Sequence, residues 1–196
     1  MPNPYLGVPR LPDGPVDLAA LAGGPGPVEI EVGFARAEFV LGRAIQRPEA
    51  RLVGVETRLK WVALGIEKAR SRAIENVRLY AGDARRLLSA LPEASVEAVW
   101  LHFPDPWWKK RHEKRRVLSA DVVHDIARVL VSGGIAFLQT DVPDRADGYR
   151  ALFATEPSLT AAESDANPAG VPSHREKKCV EAGLPIYRFS FRRLDR

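Results

Sequence analysis

The segment from Val28 to Glu56, VEIEVGFARAEFVLGRAIQRPEARLVGVE, decides the fold of this chain of 196 residues. At its two ends are short apolar runs, Val28–Val32 and Leu52–Glu56, which predict two β-strands. Between them, the Ala-rich stretch Arg36–Gln46 predicts a helix, and Pro48 ends it. A strand, a helix and a second strand in this order indicate a βαβ unit with two parallel strands.

The same alternation continues along the rest of the chain. Further strands are predicted at Val77–Tyr80, Val96–Phe103, which is the longest, Ile135–Gln139 and Ile186–Arg192. Helices are predicted at Leu59–Ala73, Ala84–Leu91, Ala120–Val131 and Ala146–Ala154. Ser164–Lys178 is predicted to be a polar connection. The pattern predicts an α/β fold with a mostly parallel sheet, and the alternating final strand is typical of a half-exposed edge.

The composition predicts one compact domain. A chain of this length with 45% hydrophobic residues can bury one core, with little room for a second. We expect residues 28–196 to form that domain and residues 1–27 to form a proline- and glycine-rich arm. Seven prolines predict that the arm contains no regular helix or central strand. They are Pro2, Pro4, Pro9, Pro12, Pro15, Pro25 and Pro27.

Several classes of protein are disfavoured by the sequence. It shows neither a secretory signal pattern nor an apolar stretch long enough to span a bilayer, so we expect a cytoplasmic protein with no membrane contact. The single cysteine, Cys179, cannot form an internal disulfide. No cluster of cysteine and histidine has the spacing of a metal site, so no metal is expected.

Acidic residues lie at the ends of four successive predicted strands. They are Glu31, Glu56, Asp83 and Asp105. Ligands of open parallel sheets bind beyond the carboxyl ends of the strands, which makes these acids candidates for a binding site. The alternative is that they are ordinary surface acids or helix N-caps. The spacing from Gly33 to Glu56 is close to the roughly 20 residues that separate a nucleotide-binding turn from a ribose-binding acid.

The turn Gly33–Ala37 indicates what kind of ligand these acids bind. A dinucleotide site has a G-x-G-x-x-G turn whose backbone amides hold a pyrophosphate. This turn has one glycine, Gly33, and an acid before it. It therefore favours a ligand without phosphates, and S-adenosylmethionine fits because its ammonium and sulfonium are cationic and its ribose offers two hydrogen-bond donors.

A loop with a basic run follows the fourth predicted strand. The prolines in Phe103–Trp108 cannot continue a central strand, so this segment is predicted to be a rigid loop. Six basic residues follow within eight positions, in a chain of net charge +4: Lys109, Lys110, Arg111, Lys114, Arg115 and Arg116. The run indicates a polyanionic partner such as RNA, and the alternative is an ordinary solvated loop.

The chain resembles the bacterial tRNA (guanine-N7)-methyltransferases. The most specific match is Phe103–Trp107 joined to the basic run. Further matches lie in the same order at Glu31–Gly33, Val55–Glu56, Asn76–Arg78, Asp83–Ala84, Thr140–Asp141 and Gly183–Arg188. The resemblance covers about Val28 to Arg193. It implies a three-layer Rossmann-like methyltransferase fold, with a mostly parallel seven-stranded sheet and an antiparallel C-terminal edge strand.

The resemblance also implies a role for individual residues. Contact with S-adenosylmethionine is implied for Glu31, Gly33, Glu56, Asp83 and Asp105. Asp105 would also lie beside the methyl group as the catalytic residue. A tRNA substrate would be held by Lys109, Asp141, Ser173 and Glu176, and the methyl acceptor would be N7 of a guanine, in the variable loop. The active protein would be a monomer or a homodimer.

Two other functions stay open, and two departures from the family pattern support the second of them. Ala35 stands where the family usually has a second glycine, and Ser173 stands where it has threonine. One alternative is a methyltransferase of the same fold that acts on another RNA atom or on a protein. The other is an inactive RNA-binding relative, although Glu56, Asp83 and Asp105 are retained.

Overall fold

The computed structural model describes residues 5–104, 117–162 and 164–195. Within these residues the chain forms seven strands and seven helices. The strands are β1 (Val28–Val32), β2 (Arg51–Glu56), β3 (Val77–Ala81), β4 (Val96–His102), β5 (Leu130–Thr140), β6 (Leu159–Ala162) and β7 (Tyr187–Arg193). The helices are α1 (Leu18–Ala22), α2 (Glu38–Gln46), α3 (Leu59–Ser71), α4 (Ala84–Ala90), α5 (Ala120–Val129), α6 (Pro143–Phe153) and α7 (His174–Glu181).

All seven strands belong to one sheet, in the order β3-β2-β1-β4-β5-β7-β6. Strands β1 to β5 pair in parallel, and β7 runs antiparallel to both β5 and β6. The predicted α/β class and the antiparallel final strand are therefore confirmed. The final strand is not at the edge, however, because β6 covers it. Sequence patterns missed β6 because it has four residues and its side chains are largely exposed, so no core-facing alternation marks it.

The fifth strand begins before the predicted start at Ile135 and contains the glycine pair Gly133–Gly134. Strand β5 has eleven residues, against seven in β4, so the prediction that the fourth strand is the longest was wrong. The ladder between them shifts register around Val96, which pairs with Leu130, while Ala98 pairs with Ile135. Gly133 has a φ of 74°, a conformation in which glycine avoids the Cβ penalty, so the pair forms an irregularity within the strand.

Two segments predicted to lack helix contain one. Helix α7 lies in the predicted polar connection, where Ser173 and Glu176 form a capping box at its start. Helix α1 lies in the predicted arm. It can form there because Pro15 and Pro25 flank it and no proline interrupts it. Its residues Leu21 and Ala22 are buried in the main hydrophobic core.

The arm also contacts the edge of the sheet. Arg10 forms a parallel bridge with Ala81 at the end of β3. Leu11 donates its N–H to the Ala81 carbonyl at 3.0 Å.

Within the three described ranges, no helix has the length and apolar character needed to cross a membrane.

The interior strand β1 carries a fully buried carboxylate. Glu29 accepts hydrogen bonds at 2.7 to 2.9 Å from two guanidinium groups. One belongs to Arg43 in α2, and the other belongs to Arg47, which directly follows that helix. It also accepts from the indole N–H of Trp100 on β4 at 2.8 Å. A buried charge is tolerated only when it is paired and hydrogen-bonded, and these donors meet that requirement. Glu29 thereby ties α2 to the centre of the sheet.

We predict that Glu29→Gln lowers the free energy of unfolding by about 3 kcal/mol, because it leaves two guanidinium groups without their buried partner. Urea unfolding measures the change. Glu97→Gln is the matched control, since Glu97 also pairs with Arg47, at 3.0 Å, but its side chain is 40% exposed. We expect the control to cost less than about 1 kcal/mol. Equal effects of the two substitutions would contradict the central role of Glu29.

Candidate active site

The predicted site residues follow neighbouring strands of the sheet. Glu31 lies near the end of β1, Glu56 ends β2, Asp83 follows β3 and Asp141 follows β5. Because β1 to β5 are parallel, their carboxyl ends meet at one edge, and the structure brings these four acids to that edge. The strand order reverses between β1 and β4, which is the switch point where open α/β sheets bind ligands.

The turn after β1 has an unusual backbone. Gly33, Ala35 and Ala37 have φ values of 74°, 41° and 59°, in the left-handed region that alanine rarely adopts. Space is open above Gly33, where an added Cβ would have no atom within 4 Å. Ala35 therefore adopts a conformation that glycine tolerates better than alanine. Strain of this kind is typical of binding sites.

Glu56 is buried at the end of β2 and is surrounded by donors. Its carboxylate accepts from the N–H groups of Ala35 at 3.2 Å and Arg58 at 3.0 Å, and from the Thr57 hydroxyl at 3.2 Å. The Arg58 guanidinium also donates to it at 3.2 and 3.4 Å. The Arg58 side chain is 62% exposed, so a ligand hydroxyl can replace it without disturbing the core.

Glu31 is held deeper in the sheet than Glu56. One carboxylate oxygen accepts from the Val40 N–H of α2 at 3.0 Å, and the other lies 2.9 Å from His102 Nδ1 on β4. His102 was not predicted to contact the site, and its signal in the sequence is weak because buried histidines are common. A carboxylate has about four lone-pair positions, so Glu31 keeps capacity for a further donor.

Asp83 combines a structural contact with partial exposure. It is the N-cap of α4 and accepts from the Arg85 N–H at 3.0 Å. The Arg85 guanidinium also donates to it, at 2.6 to 3.0 Å, and this contact holds the pKa of Asp83 below its usual value. Asp83 borders a cavity of about 710 Å³ that is also lined by the arm segment 10–16.

The predicted substrate residues Asp141, Ser173 and Glu176 gather near the end of β5. Asp141 pairs with Arg175 of α7. Ser173 and Glu176 are both buried, and they cap α7 reciprocally. Glu176 also accepts from Gln139 Nε2 at 2.9 Å.

The final strand adds a further contact to this group. The Arg188 guanidinium of β7 donates to Glu176 at 3.0 Å. Burial alone would raise the pKa of Glu176, but the hydrogen bonds from Gln139 and Arg188 outweigh it, so the pKa is lowered. The Ser-x-x-Glu pattern is a capping-box signature, so the sequence held a signal for α7.

The backbone that leads into the proline loop is fixed from two sides. Phe103 has a φ of 52°, which is unfavourable for an aromatic residue before proline, and its N–H donates to the Gln139 carbonyl at 2.8 Å. The Tyr149 hydroxyl of α6 donates to the Pro104 carbonyl at 3.2 Å. Sequence reasoning missed Tyr149, because one tyrosine on an amphipathic helix carries no distinctive signal. The predicted site residues Asp105 and Lys109 lie outside the described residues.

Sequence comparisons match nearly the whole chain. A family profile described as "Putative methyltransferase" matches residues 25–189. A Caulobacter vibrioides protein named tRNA (guanine-N(7)-)-methyltransferase is 34% identical over 190 residues, which cover 94% of this chain and 82% of that protein. A Cereibacter sphaeroides protein of the same name is 42% identical over 130 residues, 66% of this chain and 54% of that protein. This second match therefore spans about half of the relative.

Structural comparisons find the same fold at low sequence identity. The 16S rRNA methyltransferase KamB superposes with a TM-score of 0.65 at 16% identity, covering 90% of this chain and 92% of that one. The 16S rRNA (adenine(1408)-N(1))-methyltransferase of Catenulisporales acidiphilia, solved with its cosubstrate SAM, gives 0.62 at 17% identity, covering 97% and 96%. These likenesses show the methyltransferase fold.

We predict that Glu176→Gln lowers the free energy of unfolding at pH 7 by about 2 kcal/mol, because it removes hydrogen bonds to a charged acceptor. The folded pKa of Glu176 is lowered, so its contribution is present above the unfolded pKa and is lost as pH falls through the folded value. The gap between wild type and variant should therefore close below about pH 4. Denaturant unfolding across pH 3 to 8 measures it.

Glu181→Gln is the matched control for this prediction. Glu181 ends the same helix and pairs with Lys178, but its side chain is 61% exposed. We expect the control to change stability little at any pH. A gap for Glu176→Gln that persisted unchanged at pH 3 would show that the carboxylate charge is not its source.

Proposed function

Because the chain belongs to the tRNA (guanine-N7)-methyltransferase family, we propose that it transfers a methyl group from S-adenosylmethionine to N7 of a guanine in tRNA. We place the acceptor guanine in the variable loop. The observation that carries the proposal is the row of acids at the carboxyl edge of β1, β2 and β3. The relatives at 34 to 42% identity are named for tRNA guanine N7, so another acceptor is not favoured.

The donors and acceptors at this edge fit S-adenosylmethionine. We assign cofactor contact to Glu31, Gly33, Glu56, Asp83 and Asp105. The carboxylate of Glu56 can accept from the ribose hydroxyls once Arg58 moves aside, and the open space above Gly33 admits the ligand. Carboxylates suit its cationic groups, whereas a pyrophosphate would be repelled.

The reaction places few demands on acid–base chemistry. When bound, S-adenosylmethionine supplies a methyl group on a positively charged sulfur. Guanine N7 has an in-plane lone pair and no proton, so it can form the bond to the methyl carbon while the carbon–sulfur bond breaks. The residues of the chain need only hold N7 in line, and orientation alone can lower a barrier by roughly 7 to 11 kcal/mol.

Asp105 is proposed to orient the acceptor base. Its carboxylate would accept from the N1 and N2 donors of guanine and would favour the positive charge that develops on the ring. The strained Phe103 backbone and the Tyr149 contact to Pro104 support this role, because they fix the chain immediately before Asp105.

The tRNA side of the site is proposed to use Lys109, Asp141, Ser173 and Glu176. Lys109 would neutralise phosphate. Asp141 lies at the carboxyl edge. Its ion pair with Arg175 can be replaced by a contact to substrate, because the Arg175 side chain is half exposed. Glu176 and Ser173 are buried in the capping box of α7, so their contribution is to place the start of that helix beside the substrate.

Identification of the methylated nucleoside tests the proposed function. The purified chain is incubated with labelled S-adenosylmethionine and unmodified tRNA transcripts, and the RNA is then digested. We expect labelled 7-methylguanosine from the wild type and a large loss of it from Asp105→Asn. A different methylated nucleoside would overturn the proposed acceptor, and no product in the presence of bound cofactor would overturn the tRNA substrate.

We predict that Glu56→Gln raises the Kd for S-adenosylmethionine about 10- to 100-fold, because it weakens two charge-assisted hydrogen bonds to the ribose. Titration calorimetry measures the change. Glu67→Gln on the exposed face of α3 is the matched control and should leave the Kd unchanged. An unaltered Kd in Glu56→Gln would remove this residue from the cofactor site.

A further inference from the structure

We propose that Arg36, Arg58 and Lys60, gathered around the indole of Trp61, form a second tRNA contact that binds backbone phosphates. We call these four residues the Trp61 cluster. The proposal rests on the proposed function, since it takes tRNA as the substrate. It extends that function to a surface beyond β1 and β2, separate from the basic run 109–116.

The Trp61 cluster concentrates three cations on one aromatic ring. The charged groups of Arg36, Arg58 and Lys60 lie 5.2, 5.5 and 5.5 Å from the ring centroid of Trp61. All three cationic residues are exposed, and Trp61 is half-buried. Cation–π contacts hold such groups in place without neutralising them, so Arg36 and Lys60 present positive charge to solvent, while Arg58 is also paired with Glu56.

The stability of the fold does not account for this arrangement. Arg58 is the N-cap of α3 and Lys60 lies in its first turn, which contains no acid. Cations at a helix N-terminus oppose the helix dipole, and the like charges of Arg36 and Lys60 around one ring repel each other, while the charge of Arg58 is offset by Glu56. Across residues 5–104, 117–162 and 164–195, neither Arg36 nor Lys60 pairs with a carboxylate. A bound anion would relieve the repulsion.

The position of the Trp61 cluster favours RNA as that anion. Arg58 also contacts Glu56, so the cluster borders the proposed cofactor site. In the sheet, β2 and β4 are separated only by β1, a distance of roughly 10 Å at the usual strand spacing. The basic run follows β4 in the sequence. A polyanion that lies along the carboxyl edge would therefore meet the Trp61 cluster beside the proposed methyl-transfer site.

The test is the salt dependence of tRNA binding by the variant Arg36→Gln/Lys60→Gln. The slope of log K against log salt concentration is negative, and each phosphate contact increases its magnitude by about 0.7 to 0.9. The variant removes two such contacts, so we expect the magnitude of the slope to decrease by about 1.5. With equal tRNA affinities of variant and wild type at 1 M salt, this difference in slope makes the variant bind about 30-fold more weakly than the wild type at 0.1 M salt. Arg58 is left intact because it contacts Glu56.

The matched control is Arg70→Gln/Arg72→Gln, which removes two exposed charges at the other end of the same helix. Arg70 lies roughly 15 Å from Lys60 along the axis of α3. The control should keep the wild-type slope. Both variants should keep the wild-type Kd for S-adenosylmethionine, and neutralising Lys60 should maintain or raise the melting temperature, because it removes a cation from the helix N-terminus.

The outcomes separate this proposal from the proposed function. A reduced slope in Arg36→Gln/Lys60→Gln alone supports the phosphate contact. If the wild type forms 7-methylguanosine but this variant keeps the wild-type slope and affinity, the Trp61 cluster is not a tRNA contact and the proposed function stands. If the wild type neither binds nor methylates tRNA, both proposals are wrong.

Discussion

The structure depends on two carboxylates buried side by side on the interior strand β1 of the sheet. Glu29 and Glu31 occupy alternate positions of β1, so both face α2, and each is matched by donors from α2 or its end and from β4. A buried acid without such partners would cost several kcal/mol. The pairing therefore fixes α2 against the sheet and holds β1 and β4 in register where the strand order reverses.

The chemistry at the carboxyl edge follows from this fixed frame. Glu31 belongs both to the buried pair and to the proposed site, so the edge is rigid where the proposed methyl donor would bind. Farther out, the contacts become exchangeable: Arg58 covers Glu56, and Arg175 covers Asp141. The rigid part supports orientation of the reacting groups, and the exchangeable arginines give way to ligands. Both properties suit a reaction that needs alignment rather than proton transfer.

Sequence patterns predicted the parallel part of the fold and the acids at its edge, because strand ends in a βαβ fold are bounded by turn residues and helix starts. They could not predict β6, whose exposed residues carry no periodic signal, or the partners of Glu31 and Glu176, which depend on distant strands. The extension of β5 through Gly133 depends on a register shift that only pairing with β4 creates. Contacts between residues far apart in sequence account for what was missed.

The proposal that guanine N7 accepts the methyl group can be tested by removing that atom from the substrate. In 7-deazaguanosine a C–H group replaces N7, so the lone pair is absent while the Watson–Crick edge is unchanged. We would compare methyl transfer and binding for tRNA transcripts made with guanosine or with 7-deazaguanosine. We expect comparable binding with no methyl transfer to the deaza transcript, and methylation of that transcript would show that N7 is not the acceptor atom.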